Sequence, residues 1–430
     1  MRKIPKNRNG GRMEEIKRNL YLNKLIERKD NTMVKVITGI RRCGKSYLLF
    51  NLYYDYLLTI GIREKQIIKI ALDEEENEGL RDAKALGSYI KEKIQKSNMY
   101  YIFLDEIQLV KGFEQVLNSL NRLKNVDIYV TGSNSKFLST DILTEFRGRG
   151  DEVKVYPLSF SEFSSIHSGT KDEAWSEYFT YGGLPIVSIL KTDEQKSNYL
   201  NTQFEKTYIA DIVDRNKLQK DSFLESIINI LASSVGSLTN PTKIANTFES
   251  NGIKGISDKT ISLYINYLIE SFLINKVERY DIKGKKYIST PSKYYFSDIG
   301  LRNARLNFRQ QEENHIMENI IYNELLVRGY NVDVGIIEHN TTDSKDKKIR
   351  KQLEVDFICN QGSKRYYIQS AFALPDSKKI EQEQNSLVRI DDSFKKIIVV
   401  KDNIKLWRNE KGIVIIGIQE FLLNENSLDL

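Results

Sequence analysis

Residues 34–50 read VKVITGIRRCGKSYLLF. An apolar run of strand-like residues turns at once into the spacing G-x-x-x-x-G-K-S, and a helical apolar pattern follows. This order constrains the fold more than any other feature of the chain, because a strand, a glycine loop and a helix in succession form the first half of a parallel α/β unit. The glycines let backbone N–H groups approach a phosphate closely, the lysine neutralises it, and the serine hydroxyl can ligate Mg²⁺. Gly39, Ile40, Arg41, Arg42, Cys43, Gly44, Lys45, Ser46 and Tyr47 are therefore the candidate nucleotide-binding residues. The expected cofactors are ATP and Mg²⁺. The alternative is a glycine-rich link that holds nothing. The four fixed positions recur by chance in roughly one to two per cent of chains this long.

Two downstream segments carry chemistry that such a loop requires. YYIFLDEIQ (residues 100–108) is an apolar strand that ends in Asp105 and Glu106. A carboxylate at the C-terminal edge of a strand beside a phosphate loop can hold Mg²⁺, so Asp105 joins Ser46 as a candidate metal ligand. Glu106 is the candidate residue that orients and polarises the attacking water. The other reading of this acid pair is a helix cap. VDIYVTGSNS (residues 126–135) ends in polar residues, of which Ser133 and Asn134 can sense a terminal phosphate. Arg147 and Arg149, in FRGRG, stand before an expected strand at 153–156. From there an arginine can reach a neighbouring subunit's nucleotide, or pair locally with Asp151 or Glu152.

Expected strands at 34–38, 67–72, 100–104, 126–131 and 153–156 alternate with helical patterns, which implies a parallel sheet. The chain has 430 residues, enough for two to four domains. No apolar run reaches the length of a membrane span, so no membrane role is expected. The N-terminal MRKIPKNRNGGR is followed by no apolar segment of the secretory kind. With Cys43 inside the phosphate loop and Cys359 the other cysteine, a structural disulfide is not expected and a reducing cytoplasm fits. Residues 1–30 hold ten Lys/Arg against four acids, a basic arm that can touch nucleic acid phosphates or simply be solvated.

ITGIRRCGKS, IFLDEIQ, TGSNS, FRGRG before YPLSFSEF, YGGLP, KYYFSDIGLRN, ENIIYNELLVRGY and LEVDF together resemble a family of bacterial and archaeal AAA-type ATPases with a GxRRxGKS phosphate loop and a restriction-endonuclease-like C-terminal module. The resemblance runs in order from about residue 34 to 370. It implies an AAA fold, nucleotide-dependent assembly into a homo-oligomeric ring, and Arg149 or Arg147 as an arginine finger acting in trans. On this basis the expected fold class is α/β. A basic arm and helix (1–30) precedes a P-loop AAA-type ATPase core (31–160) and a helical lid (161–235). A winged helix-turn-helix (236–300) and a restriction-endonuclease-like α/β domain (301–430) follow.

Pro241-Thr242 starts one helix and Ser257 caps a second, whose Ile261, Ile265, Leu268 and Ile269 form an apolar stripe. A basic hairpin, DIKGKKY, comes next. In a winged helix this would place Lys259, Thr260, Ser262 and Tyr264 on a DNA-reading face and Lys283, Lys285 and Lys286 on the wing. The same shape can pack only against protein. A nuclease site of the PD-(D/E)XK kind needs a helix Glu, a strand Asp, and an acid-x-Lys on the next strand. Glu324 (or Glu318) and Asp356 fall at the first two places, but Gln369 stands where the next acid should be and Ala371 where the lysine should be. The expectation is a nuclease-like fold with damaged chemistry, retained for DNA binding or structure. The three histidines have no ligand spacing. The chain is thus expected to be a ring-forming Mg-ATP hydrolase that binds DNA. The alternatives are a nucleotide-gated regulator of a protein partner and an ATP-dependent nuclease.

Overall fold

The computed structural model describes residues 16–95, 97–133, 150–218, 222–252, 255–309, 312–342, 348–373 and 377–430. The chain divides into two compact units. The first comprises residues 1–157 and 162–170, the second residues 158–161 and 171–430.

The first unit is built on a five-stranded parallel sheet. Its strands are β1 (Val34–Thr38), β2 (Ile67–Ala71), β3 (Tyr100–Asp105), β4 (Val126–Thr131) and β5 (Gly150–Lys154). They lie in the order β2-β3-β4-β1-β5. All residues of β1, β3 and β4 are buried, as expected of a parallel sheet covered on both faces. Lys35 interrupts the apolar run of β1 and is fully buried. It forms an ion pair with the buried Asp127 of β4, which also accepts the Tyr129 hydroxyl at 2.7 Å. The buried charge is thus paired and hydrogen-bonded. Ile16, Leu20, Leu22, Leu25 and Ile26 space a helical stripe over 13–29; the helix is formed over Asn19–Glu27 and buries Tyr21 and Leu25. Beside it, the Arg18 guanidinium donates to the Tyr156 carbonyl and pairs with Glu162, and Arg28 pairs with Asp151 at 3.0 Å. Lys29 pairs with Asp30. Three of the basic residues counted in the N-terminal arm are therefore engaged in internal ion pairs. Residues 1–15 lie outside the described residues.

The second unit centres on an eight-stranded mixed sheet. Its strands are β6 (Ile274–Asp281), β7 (Lys286–Phe296), β8 (Asn331–Thr342), β9 (Lys348–Gln361), β10 (Lys364–Ala371), β11 (Lys395–Val400), β12 (Trp407–Arg408) and β13 (Val414–Gly417). The order is β12-β13-β11-β10-β9-β8-β6-β7. The sequence pattern predicts strands at 354–358, 365–370, 396–400 and 413–417, and each coincides with a strand of this sheet. The expected wing does not stand apart. Its two strands, β6 and β7, form one edge of this sheet, with β6 parallel to β8 through Arg279↔Val334 to Asp281↔Ile336. The domain boundary expected at 300/301 therefore runs through a continuous sheet. Sequence periodicity detects a hairpin but not the strand that a hairpin joins.

The helices Pro241–Ser250 and Asp258–Glu270 begin where expected, with the Asn240 and Ser257 side chains accepting from Lys243 N and Thr260 N. YGGLP and FSDIG, far apart in sequence, close one buried clasp. The Asp298 carboxylate accepts from the backbone N–H of Gly183 at 2.8 Å and of Leu301 at 3.1 Å. A side chain at Gly300 would meet the Tyr181 carbonyl oxygen at 2.0 Å. Burial pushes the Asp298 carboxyl up to about 6.

Candidate functional site

The phosphate loop leaves β1 at Thr38 and enters a helical stretch at Lys45–Tyr47, which continues as a π-type turn (Leu48–Tyr53) and then an α-helix (Tyr54–Thr59). Three features hold it in shape. Gly39 has φ 138°, and a Cβ there would lie 2.0 Å from the Val155 carbonyl oxygen. Gly44 has φ 99° and begins the helix. The Cys43 thiol donates to the same Val155 carbonyl at 3.4 Å. Ile40 and Cys43 are buried, Arg41 and Tyr47 are half-buried, and Arg42 and Ser46 are exposed.

Lys45 is 5% exposed, and its ammonium donates to the carbonyls of Gly39 at 2.9 Å and Ile40 at 3.1 Å. Carbonyls hold the side chain across the loop without neutralising it, so its charge stays free to act on an anion. Asp105, at the end of β3, is buried and accepts from the Thr131 hydroxyl of the adjacent β4. Burial raises its carboxyl above the usual range, and the Thr131 and Ser46 hydroxyls pull it back. Ser46 and Asp105, the two expected metal ligands, are thus near enough for the Ser46 hydroxyl to act on the carboxyl. Glu106 adopts a left-handed backbone (φ 50°), its N–H donates to Thr131 Oγ at 3.0 Å, and its carboxylate accepts from Gln108 and from Ser133 Oγ at 3.3 Å. From sequence Thr131 is one of the polar residues that end the strand 126–131, with no expected link to the two acids. Its hydroxyl fixes both acids because β4 lies beside β3, and that neighbour relation is a property of the sheet. Asn134, Arg147 and Arg149 lie outside the described residues.

In the second unit, Lys259, Lys283, Lys285 and Lys286 are exposed. Tyr264 is 7% exposed and belongs to the core, which corrects its expected place on a reading face. The Thr260 hydroxyl bonds that of the cap residue Ser257, and Ser262 donates to the Asp258 carbonyl. The exposed apolar residue of this helix is Leu263, at 44%. The nuclease-like acids also need a correction. Glu324 pairs with Arg328 at 2.7 Å on its own helix. Glu318 instead shares a partner with Asp356, namely Lys293 of β7. Gln369 is half-buried beside them, its Oε1 accepting the Asp356 N–H at 3.4 Å.

Residues 31–164 match the AAA domain family, and residues 172–312 match a domain of unknown function. An uncharacterized protein of Haemophilus influenzae is 37% identical over 95% of this chain and 98% of its own length. The chain belongs to this family of AAA-domain proteins. The uncharacterized protein MJ1544 of Methanocaldococcus jannaschii is 28% identical over 86% of this chain and 82% of its own. Among solved structures, the Aeropyrum pernix Orc1 protein in complex with DNA is similar at 12% identity and a TM-score of 0.29, over 67% of this chain and 92% of that one. A likeness at that level carries no functional argument. For an AAA-domain protein, the parallel sheet with β1 between β4 and β5 and the phosphate loop at its edge is the nucleotide-binding architecture. Among the described residues, no helix is long and apolar enough to cross a membrane.

Proposed function

We propose that this AAA-domain protein binds and hydrolyses Mg-ATP, assembles into a homo-oligomeric ring, and acts on DNA. The observation that carries the hydrolytic reading is the single hydroxyl of Thr131 at the end of β4, which donates to the Asp105 carboxylate and accepts the Glu106 N–H at the end of the adjacent β3. The residues present fit the cofactor. The loop N–H groups from Gly39 to Ser46 and the Lys45 ammonium would hold the phosphates, and Ser46 with Asp105 would hold Mg²⁺. Bound Mg²⁺ would neutralise the charge of the transferring phosphoryl group. The chain's own residues do the rest. Lys45 supplies positive charge inside the loop, Asp105 keeps an acceptor in place through Thr131, and Glu106 orients water and accepts its hydrogen bond. Ser133 holds the Glu106 carboxylate in position. Arg149 or Arg147 would complete a neighbour's site.

The DNA reading rests on the exposed Lys259, Lys283, Lys285 and Lys286 and the basic N-terminal arm. Affinity for DNA should fall steeply with salt, because each lysine–phosphate contact releases condensed counterions. A second reading is a nucleotide-gated regulator that contacts a protein partner. It is favoured by Leu263, an apolar residue exposed on the helix expected to read DNA. Steady-state ATPase rates with and without single-stranded, duplex and branched DNA decide between them. Turnover stimulated by DNA, absent in Lys45→Ala and in Glu106→Gln, supports the first reading. The Glu106→Gln protein should still bind ATP, since a carboxamide leaves the loop intact but cannot polarise water. No DNA affinity at about 50 mM salt, where ordinary basic patches still bind, would leave the regulator.

A further inference from the structure

Lys293 is the fourth residue from the end of β7. It is 3% exposed, and its ammonium meets Glu318 at 2.8 Å, Glu354 at 2.7 Å and Asp356 at 3.6 Å. Three carboxylates on one buried ammonium is not the stoichiometry of an ordinary ion pair. It is that of a cation site, with ligands from a helix (Glu313–Val327) and from β9 gathered around a charge supplied by a third element.

Glu318 and Asp356 make further contacts. Glu318 Oε1 also accepts the Tyr295 hydroxyl at 2.5 Å, and its Oε2 faces His315 Nδ1 at 3.7 Å. Asp356 Oδ2 accepts the Ser370 N–H at 2.8 Å. The side-chain amide oxygen of Gln369 accepts the Asp356 N–H at 3.4 Å and is thus engaged by backbone. Residue 371, where a nuclease-like site would carry its lysine, is a buried alanine. Among the described residues, no group of three or more His, Cys, Asp or Glu side chains is arranged to hold a metal ion. A divalent ion placed among these carboxylates would lie against the Lys293 ammonium, and two cations in one buried site repel strongly. The residues therefore do not fit the metal ion that the nuclease resemblance implies.

We propose that the Lys293 ammonium is the resident cation of the Glu318–Glu354–Asp356 cluster and stands in place of a divalent metal ion. The cluster is then an ionic clamp that is complete without metal. It fastens the β6–β7 hairpin to the helix Glu313–Val327 and to β9, and it leaves this half of the chain without a metal-activated water. This conclusion does not depend on how the nucleotide site is read.

The test uses the full chain without nucleotide. Mn²⁺ uptake is followed by the loss of the free-ion electron paramagnetic resonance signal. The wild-type protein and Asp356→Asn should give the same isotherm, because the cluster takes up no metal in either. Lys293→Met should gain a further equivalent of Mn²⁺, bound at least about tenfold more tightly than any wild-type uptake at these residues, and Lys293→Met combined with Asp356→Asn should lose it. A second measurement requires no variant. Reductive methylation of the native protein, read by mass spectrometry, should label Lys283 and spare Lys293, with millimolar Mn²⁺ or without it. An equivalent of Mn²⁺ lost from the wild type in Asp356→Asn would overturn the proposal, as would a folded Lys293→Met that gains no Mn²⁺. Mn²⁺-dependent labelling of Lys293 would overturn it as well, and that result stands even if the Met variant does not fold.

Discussion

Gly39→Ala adds one methyl group at the tightest point of the phosphate loop. The new Cβ would lie 2.0 Å from the Val155 carbonyl oxygen and 3.2 Å from the Cys43 sulfur, where ordinary contact begins at 3.4 Å. The backbone must open by more than an ångström. Val155 cannot withdraw freely, because its N–H donates to the Thr38 carbonyl at 2.7 Å and so continues the β1–β5 ladder. The φ of 138° adds strain of about 1–3 kcal/mol for a residue with a side chain, and weakening the ladder bond adds about 1 kcal/mol. With the residual overlap, the sum is about 3–5 kcal/mol, at the upper end of single-site effects. Urea denaturation of the full chain, followed by signals from the first unit, should show a midpoint lower by roughly 2 M for a slope of about 2 kcal/mol/M. Lys45→Ala is the control. It frees two carbonyls that water can reach once the side chain is gone, so it should abolish binding of a fluorescent ATP analogue while lowering the midpoint by much less. A Gly39→Ala protein with an unchanged midpoint and intact analogue binding would refute the packing of this loop against Val155.

Two further outcomes are expected. Arg149→Ala should keep ATP binding and lose hydrolysis, and Glu106→Gln with Mg-ATP should sediment as an oligomer; a species that stays monomeric at micromolar concentration would count against the ring. The clasp at Asp298 makes the second unit pH-dependent. Its folded carboxyl sits at about 6, above the ordinary value of 3.8, so its contribution to stability is full below the ordinary value and is lost as the pH rises through about 6. Denaturation midpoints of the second unit should show this slope from the ordinary value of 3.8 to about 6 in the wild type and a flatter one in Asp298→Asn. The Asn variant should be the weaker at every pH, because its amide turns a donor towards the N–H groups of Gly183 or Leu301; identical slopes would refute the assignment.

Much of the first unit was legible because its signals are local. β1 and the loop from Gly39 to Ser46 carry their geometry in adjacent residues, and β3 announces itself as an apolar run closed by Asp105 and Glu106. The bonds of Thr131 to Asp105 and Glu106, and the place of Lys293, were not legible, since each acts through a strand that is a neighbour in the sheet but remote in sequence. The choice between Glu318 and Glu324 shows the same limit. Six residues along a helix turn the side chain by about 240°, so only one of them can face Asp356, and the sequence pattern does not say which. The nuclease spacing asks for a lysine two residues beyond Gln369, where Ala371 stands. The ammonium in that cluster instead comes from β7, more than seventy residues earlier.

The pairing of β6 with β8 sets where this protein can be cut. Between these parallel neighbours the chain passes through β7 and the helices Ile299–Arg305 and Glu313–Val327 before it returns. A fragment that starts at residue 301 would carry β8 with the edge at Val334–Ile336 stripped of its partner. It would also present Glu318, Glu354 and Asp356 with no ammonium among them. Such a piece has both an open strand edge, which invites pairing with other chains, and uncompensated buried charge, which resists folding. A piece of this half of the chain that is to fold by itself therefore has to include the hairpin, because the C-terminal segment alone would have both a sheet edge and a charge cluster to mend.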